Sequence, residues 1–235
     1  MKKSIILAVA LLISVVSKGQ MWFDIGAKYS IGATAPVNQN IMEGDGGNYQ
    51  IFKGGKMSSF YGFKLGINFN TVHSITPEFN IVTLRPMYSS TLIDVPQFNI
   101  YQIPVLYRKN SDNGGYVEVG PQISIIRKVT SGEVDNTEFF NKNTFDLALG
   151  GGQYIGALGA LGFNLGFRMN IPLVDMVAET STDRGYVVFK PSNVDGFEYK
   201  SYKNLYVGVS LEVNLNFGYL QNGPSCHPGT RFKLF

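Results

Sequence analysis

Nine charged side chains of mixed sign sit at alternating positions in otherwise apolar runs: Asp24, Glu78, Glu118, Asp146 and Glu212 against Lys28, Lys64, Arg108 and Arg168. Arg85 is a further candidate for the same set. Carboxylates and cations gathered in one confined space could serve an ion path, a small-ligand site or a salt-bridged plug, and each charge must be paired or hydrated. Acid–base or nucleophilic catalysis would ask for a histidine beside a nucleophile or carboxylate. The chain has two histidines, His73 and His227, and neither has a partner at His-x-x-x-His or Cys-x-x-Cys spacing, so no metal and no cofactor is expected. Gly150-Gly151-Gly152 lies inside an alternating run with no helix behind it. It therefore reads as a bend or a close backbone approach and not as a phosphate loop. Gly151 could also thin the wall where another protein docks.

The charges are placed by strands. From Leu205 to Phe217 every odd position is apolar, and from Gly208 to Gly218 every even position is glycine or polar. Strict period two means one oily and one wet face, and fifteen residues from Leu205 to Tyr219 is long for a soluble sheet. Similar runs begin at Trp22, Phe60, Ile75, Gln97, Tyr116, Phe145 and Leu161, with a β-bulge expected after Ile81 where Val82 and Leu84 break parity. The segments between them alternate long and short. Ala35–Lys56, Tyr88–Asp94, Val129–Asn143 and Asp175–Lys203 read as loops, and the other connections as tight turns.

An eight-stranded antiparallel transmembrane β-barrel follows, with short periplasmic turns and longer external loops. A soluble up-and-down barrel of the lipocalin kind would reverse the faces. Strand length, a wet face dense in glycine and charge, and aromatics near strand ends favour the membrane. Those aromatics are Trp22, Phe23, Tyr107, Tyr116, Tyr154, Phe217 and Tyr219 at one rim and Phe60, Tyr61, Phe145 and Tyr206 at the other. In this topology His73 and His227 lie at the periplasmic end, away from external substrates, and the chain is expected to be non-enzymatic.

Lys2 and Lys3, the apolar run Ile5–Val16 and Ser17-Lys18-Gly19 predict a signal peptide over 1–19, a barrel over 20–220 and a periplasmic tail over 221–235. The leader carries three lysines and no acid, so Lys plus Arg falls from 20 to 17 against 17 Asp plus Glu. A neutral mature chain implies no nucleic-acid partner. The single cysteine, Cys226, has no partner for an internal disulfide and reads as an incidental thiol of the tail. Pro224, Arg231, Lys233 and Phe235 make the tail a candidate partner-binding segment. The aromatic loops Ala35–Lys56 and Asp175–Lys203 could contact partners or fold over the barrel mouth.

Ile100-Tyr101-Gln102-Ile103-Pro104-Val105-Leu106-Tyr107 resembles the I/L-x-I-P-hydrophobic segment of the PorT-type outer-membrane β-barrel family of Bacteroidetes. So do Gly115-Tyr116 to Gly120-Pro121, Phe145–Gly150, and Phe163 to Arg168 with Asp175 following. The resemblance covers most of the mature chain. It implies an outer-membrane barrel with divergent roles, among them subunits of the type IX secretion and gliding apparatus. The expectation is a plugged, structural or accessory barrel with lipid and envelope proteins as partners. The alternative is a small-ligand-binding or weak-pore barrel. Val213-x-Leu215-x-Phe217-x-Tyr219 also resembles a C-terminal barrel-assembly signal, although the chain continues to Phe235.

Overall fold

The computed structural model describes residues 22–37, 49–51, 56–90, 94–158, 161–178 and 201–219, with the backbone alone at 49–51, 89–90 and 216–219. The proposed leader, the tail with Pro224, Cys226, His227, Arg231, Lys233 and Phe235, and most of the last long loop lie outside the described residues. In chain order the strands are β1 (Trp22–Val37), β2 (Tyr49–Ile51), β3 (Ser58–Asn68), β4 (His73–Leu84), β5 (Tyr88–Ser90), β6 (Gln97–Asn110), β7 (Gly115–Ser131), β8 (Val134–Asp135), β9 (Asn143–Leu158), β10 (Leu161–Pro172) and β11 (Lys203–Tyr219). A 3-10 turn, Thr137–Phe139, follows β8.

Eight of these strands form a closed antiparallel ring. Each of β1, β3, β4, β6, β7, β9, β10 and β11 pairs with the next, and β11 returns to β1 with Lys28 opposite Glu212. Closure removes every free edge. The β2–β5 pair and β8 are short additions at the long-connection end.

The turns are set by side-chain chemistry. Asn70 Oδ1 accepts the amides of Val72 (2.8 Å) and His73 (2.7 Å), which closes the β3–β4 turn. Gly114, at φ 83°, takes the left-handed position of the β6–β7 turn, where Gly115 N donates to Asn113 Oδ1 at 3.1 Å.

Alternation decides the solvent. Ile25, Tyr29, Tyr61, Phe63, Leu65, Phe145, Leu165, Phe167, Val207, Val209 and Leu211 all face outward, and Phe63 is 72% exposed. The residues between them face inward and are largely polar and buried. A water-soluble barrel would bury the first set, whereas an uninterrupted apolar outer face matches hydrocarbon. At 17 residues, β7 and β11 exceed the roughly 9–11 that a tilted strand needs to cross a bilayer. The wall therefore spans a membrane and stands beyond it.

Several expectations require correction. No register shift occurs on either side of β4 near Ile81. Val82 and Leu84 turn inward because the lumen itself becomes apolar there, not because the strand bulges. The register shifts lie elsewhere, between Trp22 and Phe23 against β11, between Asn99 and Ile100 against β7 and between Phe163 and Asn164 against β9. The polar stretch 129–143 is not simply a loop: β7 runs to Ser131, and Val129 and Phe140 are buried. Likewise β1 runs on to Val37, past the expected loop start at Ala35. Trp22, Tyr116, Phe60 and Tyr206 are not girdle residues; all four are buried inside. Tyr61, Tyr107 and Phe145 do face outward.

Several glycines, Gly32, Gly62 and Gly120 among them, are required by close backbone approach. A Cβ on Gly120 would collide with the Val105 carbonyl oxygen and the Leu106 Cα of β6. Gly120→Ala is therefore expected to destabilise the folded barrel by about 1–3 kcal/mol. Gly162→Ala, whose Cβ would find Tyr154 at 3.5 Å, should be near neutral. Urea titration followed by the electrophoretic shift between folded and unfolded barrel would check the pair, and equal effects would refute the assignment.

Candidate functional site

The lumen is filled in layers. Asp24, Lys28, Lys64, Glu78, Arg108, Glu118, Asp146, Arg168 and Glu212 all project into it, and each is buried. Eight of the nine form one connected ion network. Lys28 Nζ reaches Glu78 (2.6 Å), Glu118 (3.4 Å) and Glu212 (3.3 Å). Lys64 Nζ reaches Glu212 (2.7 Å) and Asp24 (3.1 Å). The Arg108 guanidinium donates to Glu118 through Nε (3.0 Å) and Nη2 (2.7 Å), and to Glu212 through Nη1 (2.9 Å) and Nη2 (2.8 Å). Arg168 Nη2 bridges Glu78 (2.9 Å) and Glu118 (2.7 Å). Four cations thus face four carboxylates, and the links cross the lumen from β4 to β10, from β6 to β11 and from β1 to β7.

Two expected members differ. Asp146 lies apart from the cations; its Oδ2 accepts from Gln122 Nε2 (2.8 Å) and Ser124 Oγ (2.5 Å). Arg85 is at the rim, where it donates to Gln97 Oε1 (2.9 Å) and the Met57 carbonyl (3.1 Å).

Room for these long side chains comes from glycine on the neighbouring strand. Lys28 lies opposite Gly62, Lys64 opposite Gly26, Glu118 and Arg168 opposite Gly150, and Arg168 also opposite Gly208. A Cβ on Gly150 would sit 2.7 Å from Glu118 Oε1. The paired parity of charge and glycine across adjacent runs is legible in the sequence and was the available signal for this packing. Tyr116, assigned above to a rim, instead lies under Arg108, whose Cζ is 4.1 Å from the ring centroid.

Towards the long-connection end the filling becomes apolar. Phe60, Val82, Leu84, Tyr88, Phe98, Ile100, Ile126, Val129, Phe140, Met176, Val177, Tyr202 and Tyr206 form one buried cluster. Phe98 is central, edge-on to Phe140 (5.1 Å, 88°) and stacked with Tyr202 (6.2 Å, 24°). Burial raises the Tyr202 phenol above its ordinary range. Periodicity missed this layer, because inward apolar residues there look like a parity error.

The other candidates are located as follows. Over Gly151 lies the Phe167 ring, which a Cβ there would meet at 3.1 Å. His73 is at the short-turn end, with Nδ1 2.6 Å from the Tyr107 hydroxyl. Among the described residues no group of three or more His, Cys, Asp or Glu side chains could hold a metal ion.

No family model matches the chain, and no curated protein matches it. Solved structures similar to it include Neisserial surface protein A, at 13% identity over 83% of this chain and 97% of that one, TM-score 0.47. The outer membrane protein OprG from Pseudomonas aeruginosa is similar at 11% identity over 85% and 97%, TM-score 0.44. Ail, the attachment invasion locus protein of Yersinia pestis, is similar at 15% identity over 85% and 99%, TM-score 0.39.

Proposed function

We propose that this protein is a non-conducting, non-enzymatic barrel of the outer membrane that serves as a structural or accessory subunit of an envelope complex. The observation that carries this reading is the lumen. Eight of its nine charges are spent on one another at 2.6–3.4 Å, the ninth, Asp146, is held by Gln122 and Ser124, and an apolar cluster stands above the network. Charges held in this way leave no free group for an ion to exchange with. The short turns are taken as periplasmic and the long connections as external, which puts both ends of the barrel chain in the periplasm. The resemblance to PorT-type barrels supports type IX secretion or gliding machinery as the complex.

Two measurements test the reading. Purified protein in planar bilayers should give no steady, selective conductance; such channels would favour the small-ligand or weak-pore alternative. Affinity purification from mild detergent should retain envelope proteins. If the barrel emerges alone, and its deletion leaves secretion and motility intact, the accessory role fails.

A further inference from the structure

The outer wall carries a second feature near the long-connection end. Between β6 and β7 the register slips by one residue: Asn99 faces Lys128 and Ile100 faces Ile126, leaving Arg127 as the inserted residue. A bulge of this kind sets two successive side chains on one side of the sheet. Arg127 and Lys128 accordingly both point outward, while Ile126 and Val129 on either side remain buried in the lumen. The neighbouring connection brings Lys142 beside them, tied by the Ile126 amide donating to the Lys142 carbonyl at 2.8 Å.

These residues border a groove of ≈ 630 Å³ lined by Tyr101, Ile125, Arg127, Glu138, Phe140 and Lys142, among others. The Arg127 guanidinium lies over the Tyr101 ring, with Cζ 4.8 Å from the centroid. Neither Arg127 nor Lys142 forms a salt bridge among the described residues, whereas Lys128 has Asp135 near it. Glu138 is the acid that lines the groove. Below it, the outward face is Ile103, Ile123 and Phe145, each exposed to hydrocarbon.

A cationic pair over an aromatic and aliphatic floor, at the upper edge of a lipid-facing wall, is complementary to an anionic headgroup with its acyl chains running down that wall. We propose that this groove binds the phosphorylated headgroup of a membrane lipid in the leaflet on the long-connection side, with Arg127 and Lys142 contacting phosphate and Tyr101 and Ile125 packing against the first acyl carbons. Arg127 is stacked and planar, which suits paired contacts to phosphate oxygens. The inference rests on the membrane-spanning wall and not on the accessory role, so either can fail alone.

The test uses the full-length protein in detergent, with native mass spectrometry as the readout and diphosphoryl lipid A as the probe. Wild type should retain lipid A roughly tenfold better than R127Q/K142Q, on the scale of two surface charges. Lys109→Gln, at the opposite rim, should bind as wild type does, and R127K should fall between wild type and R127Q/K142Q, since it keeps the charge and loses the stacked, paired contacts; the two together guard against a folding artefact. Phosphatidylcholine should bind all of them equally weakly. The proposal is overturned if R127Q/K142Q binds like wild type, or if K109Q loses as much. Displacement of lipid A by millimolar inorganic phosphate would also overturn it, since that would mark a free-phosphate site.

Discussion

Replacing Glu212 by Gln is expected to destabilise the folded barrel by about 3–5 kcal/mol, the cost of breaking a buried ion network on one side. Glu212 is 0% exposed and is the shared partner of Lys28, Lys64 and Arg108, with Asn164 Nδ2 (3.1 Å) and Asn214 Nδ2 (2.8 Å) adding donors. A glutamine amide keeps the shape and removes the charge. Three cations then face a lumen that has lost the carboxylate they share, with little water to take its place. Asp146→Asn is the matched control. Among the described residues that carboxylate accepts only from Gln122 and Ser124, both on Oδ2, and an asparagine oxygen can keep both bonds, so the change should cost about 1 kcal/mol or less. Urea midpoints from the electrophoretic shift would compare the two. A cycle of E212Q with Arg108→Gln should show coupling above about 1 kcal/mol, because the second substitution removes a cation the first left stranded. Additive effects would mean the network is not a unit.

The contrast between Glu212 and Asp146 also marks how far the sequence could be read. Period-two alternation placed both on the inward face, because parity depends only on backbone pleat. Which carboxylate meets a cation depends on height in the barrel and on strands distant in sequence. Arg108 reaches Glu212 across 104 positions, and Arg168 reaches Glu78 across 90. Register between such strands follows from closure of the ring and is invisible to local pattern. Val82 and Leu84 show the same limit: an apolar residue at an inward position looks like a slipped strand until Phe98 of β6, Tyr206 of β11 and Tyr202 just ahead of β11 complete the cluster it joins. Arg127 shows it from the other side. Arg127 and Lys128, two adjacent cations just ahead of the expected loop start at Val129, fit no period-two face, and the structure keeps both on the wall by inserting one residue.

The apolar layer makes the second large effect. Phe98→Ala should destabilise the barrel by about 3–5 kcal/mol, the range for deleting a buried aromatic ring. Phe98 is 0% exposed, and its ring joins β6 to Phe140 above and to Tyr202 beside β11, so the lost volume lies where three parts of the chain meet. Collapse into that space is limited, because Val129 and Val177 are themselves fully buried against the same cluster. The variant nevertheless should not conduct. The cap and the ion network are separate layers stacked along the lumen, and opening one leaves the other closed. Phe98→Ala would lower the urea midpoint while planar-bilayer recordings stay silent. E212Q, by the same reasoning, leaves the cap in place and should also be silent. Only a barrel altered in both layers has a continuous polar path, so a double variant, F98A/E212Q, is the one in which conductance should first be detected if it remains folded. Steady channels in F98A alone, with Glu212 and its partners intact, would show that the charged layer is hydrated and permeable, and the lumen would then be closed by its apolar cap and not by its salt bridges.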